Sequence, residues 1–351
     1  MLIENLYFRD LSPMENFSVP VVLFLFKRVD KPLEIMNQIA KIKPTRIYLL
    51  SDGGRDPGEK ALVEQCRVAV EQAINWECEI VRKYEANNVG VYRNIAEGAK
   101  WVFEREEFAI FLEDDNYPEL SFFRFCEELL LRYKEDRRVL WICGTNYLES
   151  YIAQDGASYV FTKNMMPCGW ASWRDKFIDF YDGDMDLWRD KYIRTRIKEE
   201  YHNQDLYYQD SYNLDYEIDF KKKYDRYYSW DYQMALAMRV HNVCAIVPTI
   251  NQIKNIGADS DSTHGGSDIQ DLMVERFCGL QTSEISFPLK HPKSMLIDIP
   301  FEVQVSKIIL NPNFNSLRSR ASRGIRKLFD IDRTESIYHF ITGVLFKSFR
   351  R

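Results

Sequence analysis

Three consecutive acids, Glu113-Asp114-Asp115, close the apolar run Phe108-Ala109-Ile110-Phe111-Leu112 and precede Asn116-Tyr117-Pro118. A short apolar run bounded in this way reads as a buried strand whose C-terminal end presents carboxylates. That end of an open α/β sheet is where ligands bind. Adjacent carboxylates repel one another unless a positive charge sits among them. A divalent cation, Mn²⁺ or Mg²⁺, is the simplest such charge, because hard cations take oxygen ligands. Held by only one or two carboxylates, it keeps positions open for substrate phosphates. One reading of the triplet is therefore a nucleotide-sugar transferase, and the other is a solvated acidic turn.

Moving a sugar from a nucleoside diphosphate has four requirements. The base and ribose must be held, the diphosphate charge neutralised, the leaving group stabilised and the acceptor hydroxyl deprotonated. Asp52 follows an apolar run and precedes Gly53-Gly54, so its carboxylate can reach a base or ribose, or can serve as a turn or cap residue. Arg28 follows the first apolar run and can contact a phosphate, or can be a surface salt-bridge partner. Asp115 is the best placed metal ligand; a cation there bridges the diphosphate as a Lewis acid. Asp231, after Trp230, is the candidate general base, which works if the acceptor oxygen is bound within hydrogen-bond reach. Its alternative role is the N-cap of a helix over 232–240. His264 lies in a polar stretch with Asp259, Asp261, Ser262, Thr263 and Gly265-Gly266. It can ligate a metal or touch a phosphate, or can be a solvent-exposed loop histidine.

The elements that must position these residues alternate along the first half of the chain. Apolar runs at 19–26, 46–50, 78–81, 108–112 and 139–143 read as strands. Helical periodicity falls between them: Leu33, Met36, Ile39 and Ala40 after Pro32, then 59–74, 93–103 and 122–133. Strands separated by such helices imply parallel βαβ crossovers, hence an α/β fold with a Rossmann-like, mostly parallel central sheet flanked by helices. Residues 246–257 run as a strand into the polar loop that carries His264. From about 175 to 228 the chain is rich in Asp and Tyr, with eight tyrosines between Tyr201 and Tyr228. This predicts a helical insertion over the sheet, either an acceptor-binding wall or an aromatic-pinned surface element.

Bulk properties narrow the class. At 46% hydrophobic and 14% aromatic residues, 351 residues can bury a substantial core, which excludes a disordered chain. A net charge of −6 argues against nucleic acid as a partner. Seven cysteines, odd in number and without a CxxC pair, read as reduced thiols of a cytoplasmic protein. Glu4 and Asp10 interrupt the start, so no signal peptide is expected, and the apolar run at 19–26 is too short to span a bilayer. Residues 314–351 hold nine Lys/Arg and three Asp/Glu. Asp332 or Thr334 can cap a helix with Ile337, Phe340, Ile341, Val344, Leu345 and Phe349 on one face. Such a tail suits the anionic inner face of a plasma membrane, or docks on the rest of the chain or on a second copy in a homodimer. The expected division is 1–313, with the insertion at about 175–228, and the 314–351 tail.

Taken in order, these segments resemble a known family. They are 21–26, Ser51-Asp52-Gly53, 108–115, Gly169-Trp170-Ala171-Ser172-Trp173, Trp230-Asp231, and Asn255-Ile256-Gly257 onward to Thr263-His264. Over roughly residues 18–265 the chain resembles bacterial GT-A glycosyltransferases of the hemolysin-activation-like group, and more distantly the Golgi α-mannoside β-1,2-N-acetylglucosaminyltransferase. The resemblance implies a GT-A fold and an inverting, Mn²⁺-dependent transfer from a UDP-sugar to a glycan or lipid-linked glycan, as in bacterial surface polysaccharide synthesis. It implies Asp115 as metal ligand with His264 beside it, Glu113 and Asp114 on donor sugar and ribose, and Asp52 on uracil. It also implies Arg28 on the donor phosphate, Gly169 and Trp170 shaping the pocket, and Asp231 as base; Arg93 is counted with the donor-binding residues. Two other readings stand beside it. A sugar-phosphate nucleotidyltransferase would carry a Gly-rich loop after the first strand, where this chain has Phe26-Lys27-Arg28-Val29-Asp30. A membrane-attached, non-catalytic sugar-binding or scaffold protein could retain the fold.

Overall fold

The structure, a computed structural model, describes residues 17–258, 272–333 and 335–337. Residues 4–8, the stretch from Asp259 through His264 to Gly266, and the tail stripe beyond Ile337 lie outside the described residues. In chain order the first half runs β1 (Val21–Leu25), α1 (Asp30–Ile42), β2 (Arg46–Ser51), α2 (Pro57–Gln72), β3 (Glu79–Tyr84), α3 (Gly98–Phe103), β4 (Phe108–Leu112), β5 (Asn116–Pro118), α4 (Leu120–Arg132) and β6 (Val139–Cys143). Then come β7 (Tyr159–Thr162), β8 (Trp170–Trp173), α5 (Arg174–Phe180), α6 (Asp186–Arg189), α7 (Lys191–Arg196), α8 (Gln204–Tyr224), α9 (Asp231–Val240), β9 (Cys244–Pro248), β10 (Ile253–Asn255), α10 (Leu272–Phe277), α11 (Ile299–Ile309) and α12 (Leu317–Phe329).

The eight-stranded sheet has the order β3-β2-β1-β4-β8-β6-β9-β7. Neighbours β3 to β4 are parallel, as are β6 and β9, while β8 and β7 run against their neighbours. This is the α/β, Rossmann-like, mostly parallel sheet flanked by helices that the alternation predicts. The two antiparallel strands are the difference. Gly169 and Trp170 are expected only as pocket residues, yet Trp170–Trp173 is a fully buried strand wedged between β4 and β6.

Both faces of the sheet are covered over its inner strands, which is why these read as continuous apolar runs, whereas the edge strand β3 keeps charged residues. Successive side chains of β1 alternate: Val21, Leu23 and Leu25 join one core with α1, α2 and α4, and Val22 and Phe24 join the other with α3, α9 and α11. Helix starts follow local chemistry. Asp56 accepts from Glu59 N at the start of α2, followed by Pro57, and Asn203 accepts from Asp205 N and Leu206 N at the start of α8. The helix expected over 93–103 is split into a π-helical turn, Arg93–Glu97, and α3. The Asp- and Tyr-rich insertion is helical, as expected, through α5 to α8. Met185, Trp188, Ile197, Tyr201, Leu206, Leu214 and Tyr227 of the insertion form a small core that is completed by Leu236 of α9. All seven cysteines carry free thiols. Among the described residues no helix is long and apolar enough to cross a membrane.

Gly169 shows how tightly β8 enters the sheet. Its φ is +62°, and a Cβ there would lie 2.5 Å from Ile253 side-chain atoms. Its N–H donates to Asn116 Oδ1 at 2.8 Å, and its carbonyl accepts from Gly144 N at 2.7 Å. Left-handed backbone and overpacking each cost about 1–3 kcal/mol. Gly169→Ala should therefore lower stability by about 2–4 kcal/mol in denaturant unfolding; an unchanged midpoint would contradict this packing.

Candidate functional site

Strand order reverses at β1 and β4: the chain proceeds outward from β1 to β2 and β3 on one side and to β4 on the other. Ligands of open α/β sheets bind at the carboxyl ends of strands at such a switch point. The register Val21↔Ile110 and Leu23↔Leu112 brings the segment after β1 beside the segment after β4. Arg28 and the acidic triplet therefore meet. Arg28 Nη2 donates to Asp114 Oδ1 at 2.8 Å and to Asp115 Oδ2 at 3.1 Å, while Nε reaches Asp114 Oδ2 at 3.3 Å. The positive charge demanded by adjacent acids is supplied, in the first instance, by this guanidinium.

The three carboxyls are not equivalent. Burial pushes Glu113 well above the usual carboxylate range, and the charges of Asp115, Asp114 and Asp231 add to it, with Arg28 opposing. Burial and Asp115 also push Asp114 up, against the pull of Arg28. Asp115 Oδ1 accepts from Asn116 Nδ2 at 2.7 Å. The antiparallel pair β5 and β10 places Asn255 opposite Asn116 and brings Gly257 against the carboxylate. A Cβ on Gly257 would lie 2.2 Å from Asp115 Oδ2.

These residues line a cavity of about 460 Å³, within the size range of small-molecule sites. Lys27, Arg28, Asp52, Arg55, Glu113, Asp114 and Asp115 come from the sheet side, and Phe220, Arg226, Tyr227 and Tyr228 from α8 and the turn after it. Asn88, Gly90, Cys168, Asn255, Gly257, Phe277 and Cys278 complete much of the remaining wall.

Asp52 lines this cavity with its carboxylate already occupied. Oδ1 accepts from Gly53 N at 2.7 Å and Val89 N at 2.8 Å, and Oδ2 from Asn88 Nδ2 at 2.9 Å and Gly90 N at 3.1 Å. Four donors fill about four lone-pair sites, so Asp52 holds the 88–90 loop as one wall. Its turn-building alternative is thus realised here.

Trp170 lies in the core. It is 1% exposed, stacked on Phe111 at 3.9 Å and on Trp141 at 4.1 Å between ring centroids. The expectation that its side chain shapes the pocket is corrected: Cys168 is the residue of that segment on the lining, and Gly169 fixes the crossing beneath it. Arg93 is exposed on the π-helical turn and does not line the cavity, whereas its neighbour Asn94 does.

Asp231 is the first residue of α9; the N-cap position belongs to Trp230, with no side-chain capping bond. The N-cap alternative therefore does not describe it. The Ser229 hydroxyl donates to Asp231 Oδ1, and Tyr181 Oη donates to the Trp230 carbonyl at 2.9 Å. Asp231 is not among the lining residues, but its charge acts on Glu113. Behind it, the fully buried Glu217 of α8 accepts from Tyr228 N at 2.8 Å and Ser229 N at 3.1 Å. Glu217 thereby fixes the turn that carries Tyr227, Tyr228 and Asp231.

Among the described residues no group of three or more His, Cys, Asp or Glu could by itself hold a metal ion. His264 lies outside the described residues. What Asp115 offers is one carboxylate beside the side-chain amides of Asn116 and Asn255. Both amides turn their NH₂ groups to that carboxylate, so the Asp115 oxygens are the ligands on offer, and one carboxylate with substrate phosphates completing the shell fits Mg²⁺ or Mn²⁺.

Sequence reasoning missed Arg226, Asn88 and the pairing of Arg28 with the acids. Parallel neighbours among the apolar runs held the signal for Arg28, since their ends must lie side by side. No local pattern marked Arg226.

No family model and no curated protein matches the chain. Solved structures overlap it at low identity. HddC from Yersinia pseudotuberculosis is 18% identical, with 32% of this chain and 54% of that chain covered and a TM-score of 0.24. S. aureus TarS 1-349 is 10% identical, with 87% and 74% covered and a TM-score of 0.37. The mannosyltransferase PcManGT from Pyrobaculum calidifontis, solved with GDP-Man and Mn²⁺, is 13% identical, with 53% and 52% covered and a TM-score of 0.34. The chain thus spans about half the length of HddC and of PcManGT.

Burial pushes the Glu217 carboxyl from its ordinary 4.5 up to about 7, against the pull of the Ser229 and Tyr228 N–H groups. The folded-state value lies above the unfolded one, so the folded protein binds the extra proton. This contribution is fully present below pH 4.5 and fades as pH rises through about 7. Glu217→Gln should flatten the fall of stability across that window, by on the order of 3 kcal/mol in denaturant melts. Equal slopes for variant and wild type would show that Glu217 is not the titrating group.

Proposed function

We propose that this protein is an inverting glycosyltransferase that moves a sugar from a UDP-sugar to a hydroxyl of a glycan or lipid-linked glycan, with Asp115 holding Mn²⁺ or Mg²⁺. The observation that carries the reading is the acidic triplet beside Arg28, at the switch point of the sheet and on a cavity of about 460 Å³. The bound cation would neutralise the diphosphate and stabilise the leaving charge as a Lewis acid.

The chain's own residues take the other roles. Arg28, with Lys27 and Arg55 on the sheet side and Arg226 on the insertion side, neutralises the diphosphate. Glu113 and Asp114 hold the donor sugar and ribose; a carboxyl pushed up by burial can donate a hydrogen bond to a sugar hydroxyl as well as accept one. Asp52 shapes the nucleoside end by holding the 88–90 loop. The insertion supplies the wall on which an acceptor would rest, through Tyr227 and Tyr228. In the transfer the acceptor oxygen forms a bond to the anomeric carbon from the face opposite the diphosphate. The bond from that carbon to the diphosphate oxygen breaks, its electron pair stays on the leaving oxygen, and the hydroxyl proton passes to Asp231. A positioned base contributes about 10²–10⁴-fold.

Thermal stabilisation by UDP-sugars, with and without Mn²⁺, tests the reading. One UDP-sugar should raise the melting temperature only with Mn²⁺, and Asp115→Ala should lose the shift. Asp231→Asn should keep donor binding and lose transfer by about 10²–10⁴-fold. Arg226→Ala should weaken donor binding without changing the melt of the free protein. A folded wild type that no nucleotide stabilises would overturn the proposal, and loss of donor binding in Asp231→Asn would make Asp231 a structural residue.

A further inference from the structure

Helix α12 takes no part in the site. Its 13 residues hold five basic side chains, Arg318, Arg320, Arg323, Arg326 and Lys327, and no acid, in a chain whose net charge is −6. None of them is buried. At 3.6 residues per turn, Leu317, Ala321, Gly324, Ile325 and Leu328 share one face. That face is turned outward: Leu317 is 84% exposed, Leu328 76% and the adjoining Phe329 56%. Two arginines of the opposite face are tied to the segments that flank the helix. Arg323 donates to the Phe314 carbonyl at 2.7 Å and covers the Phe314 ring at 4.0 Å. Arg326 donates to the carbonyls of Asp332 at 2.6 Å and Glu335 at 2.8 Å. A surface helix ordinarily points its apolar stripe at the core and its charges at water. Here Leu317 and Leu328 of the apolar stripe stand in solvent instead.

We propose that α12 is a docking surface for an anionic phospholipid bilayer, a function separate from the transfer chemistry. Leu317, Leu328 and Phe329 would enter the headgroup–acyl boundary. Arg318, Arg320 and Lys327 are exposed at the edges of the apolar face and make no ion pair among the described residues. They would meet lipid phosphates, with their aliphatic stems lying along the apolar surface. Charge decides between occupants. A second copy would bring the same five cations against these, whereas an anionic bilayer complements them. A helix of this length, about 20 Å, gives reversible attachment that weakens with salt.

Flotation of the full chain with vesicles provides the test. Wild type should float with phosphatidylcholine vesicles containing phosphatidylglycerol, stay behind with phosphatidylcholine alone, and detach at high salt. The double substitution Leu317→Asp, Leu328→Asp should lose binding by on the order of tenfold or more, with an unchanged melting temperature. Arg320→Gln with Lys327→Gln, which leaves the apolar face intact, should lose the preference for the anionic lipid. Equal binding to both vesicle types, or wild-type binding by the Leu317/Leu328 variant, would overturn the proposal. A shifted melt in that variant would overturn it too, by showing the face to be internal. A solution dimer that dissociates on Leu328→Asp would assign the face to a second copy instead.

Discussion

The Arg28 guanidinium between Asp114 and Asp115 is the interaction on which the rest of the site depends. Three consecutive carboxyls at the end of a buried strand cannot all be ionised and half-buried without compensation. One fork of nitrogen donors binds two of them, and the third, Glu113, is pushed towards its neutral form. Such an ion pair adds little to stability, because desolvating both partners costs about as much as their attraction returns. Its effect is to hold two oxygen-rich groups in fixed positions at the mouth of the cavity. Lys27 and Arg55 share the one carboxylate of Glu59, two cations against one acid, which leaves positive charge on the sheet side. Arg226, contributed by the insertion, is the exposed cation on the other wall.

Geometry of this kind follows from strand order more than from any local motif. Because β1 lies between β2 and β4, everything that follows these strands emerges at one edge: Arg28 after β1, Asp52 after β2, and the triplet after β4. The strands themselves are apolar on both faces and carry no chemistry. They fix the spacing of the loops that do. β5 and β10 then close the floor, with Ile256 N bonded to the Asp115 carbonyl at 2.8 Å and Gly257 against the carboxylate.

Much of this was legible in the sequence, and the exceptions have physical causes. Apolar runs mark β1, β2, β4 and β6 closely, since a doubly covered strand has no alternation to confuse the period. The meeting of Arg28 with Asp114 joins positions 86 residues apart and requires the sheet order, which no window along the chain contains. Asp52 before Gly53-Gly54 reads as a ligand contact or a turn residue, and the sequence does not show which, because the 88–90 loop that its carboxylate holds lies beyond a whole helix. Trp170 is placed at the pocket only by the family resemblance, and a strand covered on both faces sends its ring into the core. The insertion's tyrosines divide in the same way: Tyr201 packs inward, while Tyr227 and Tyr228 also reach the cavity.

That core position gives Trp170 a different importance. Its ring stacks on Phe111, two residues before Glu113, and lies 5.7 Å from the ring of Trp230, the residue before Asp231. Trp141 of β6 adjoins both tryptophans, at 4.1 Å and 6.0 Å. A column of flat, fully buried rings therefore connects the strand that ends in the acidic triplet to the turn that starts α9. Stacked aromatics are stiff, with few rotamers and large contact areas. The separation between the triplet and Asp231 is thus inherited from the packing of the core, while Glu217 and Tyr181 hold the same turn from the insertion side. A group meant to take a proton must sit within a fraction of an ångström of its place. On the proposed assignment of Asp231 as the base, its place is set through tightly packed rings rather than through the loops around the cavity.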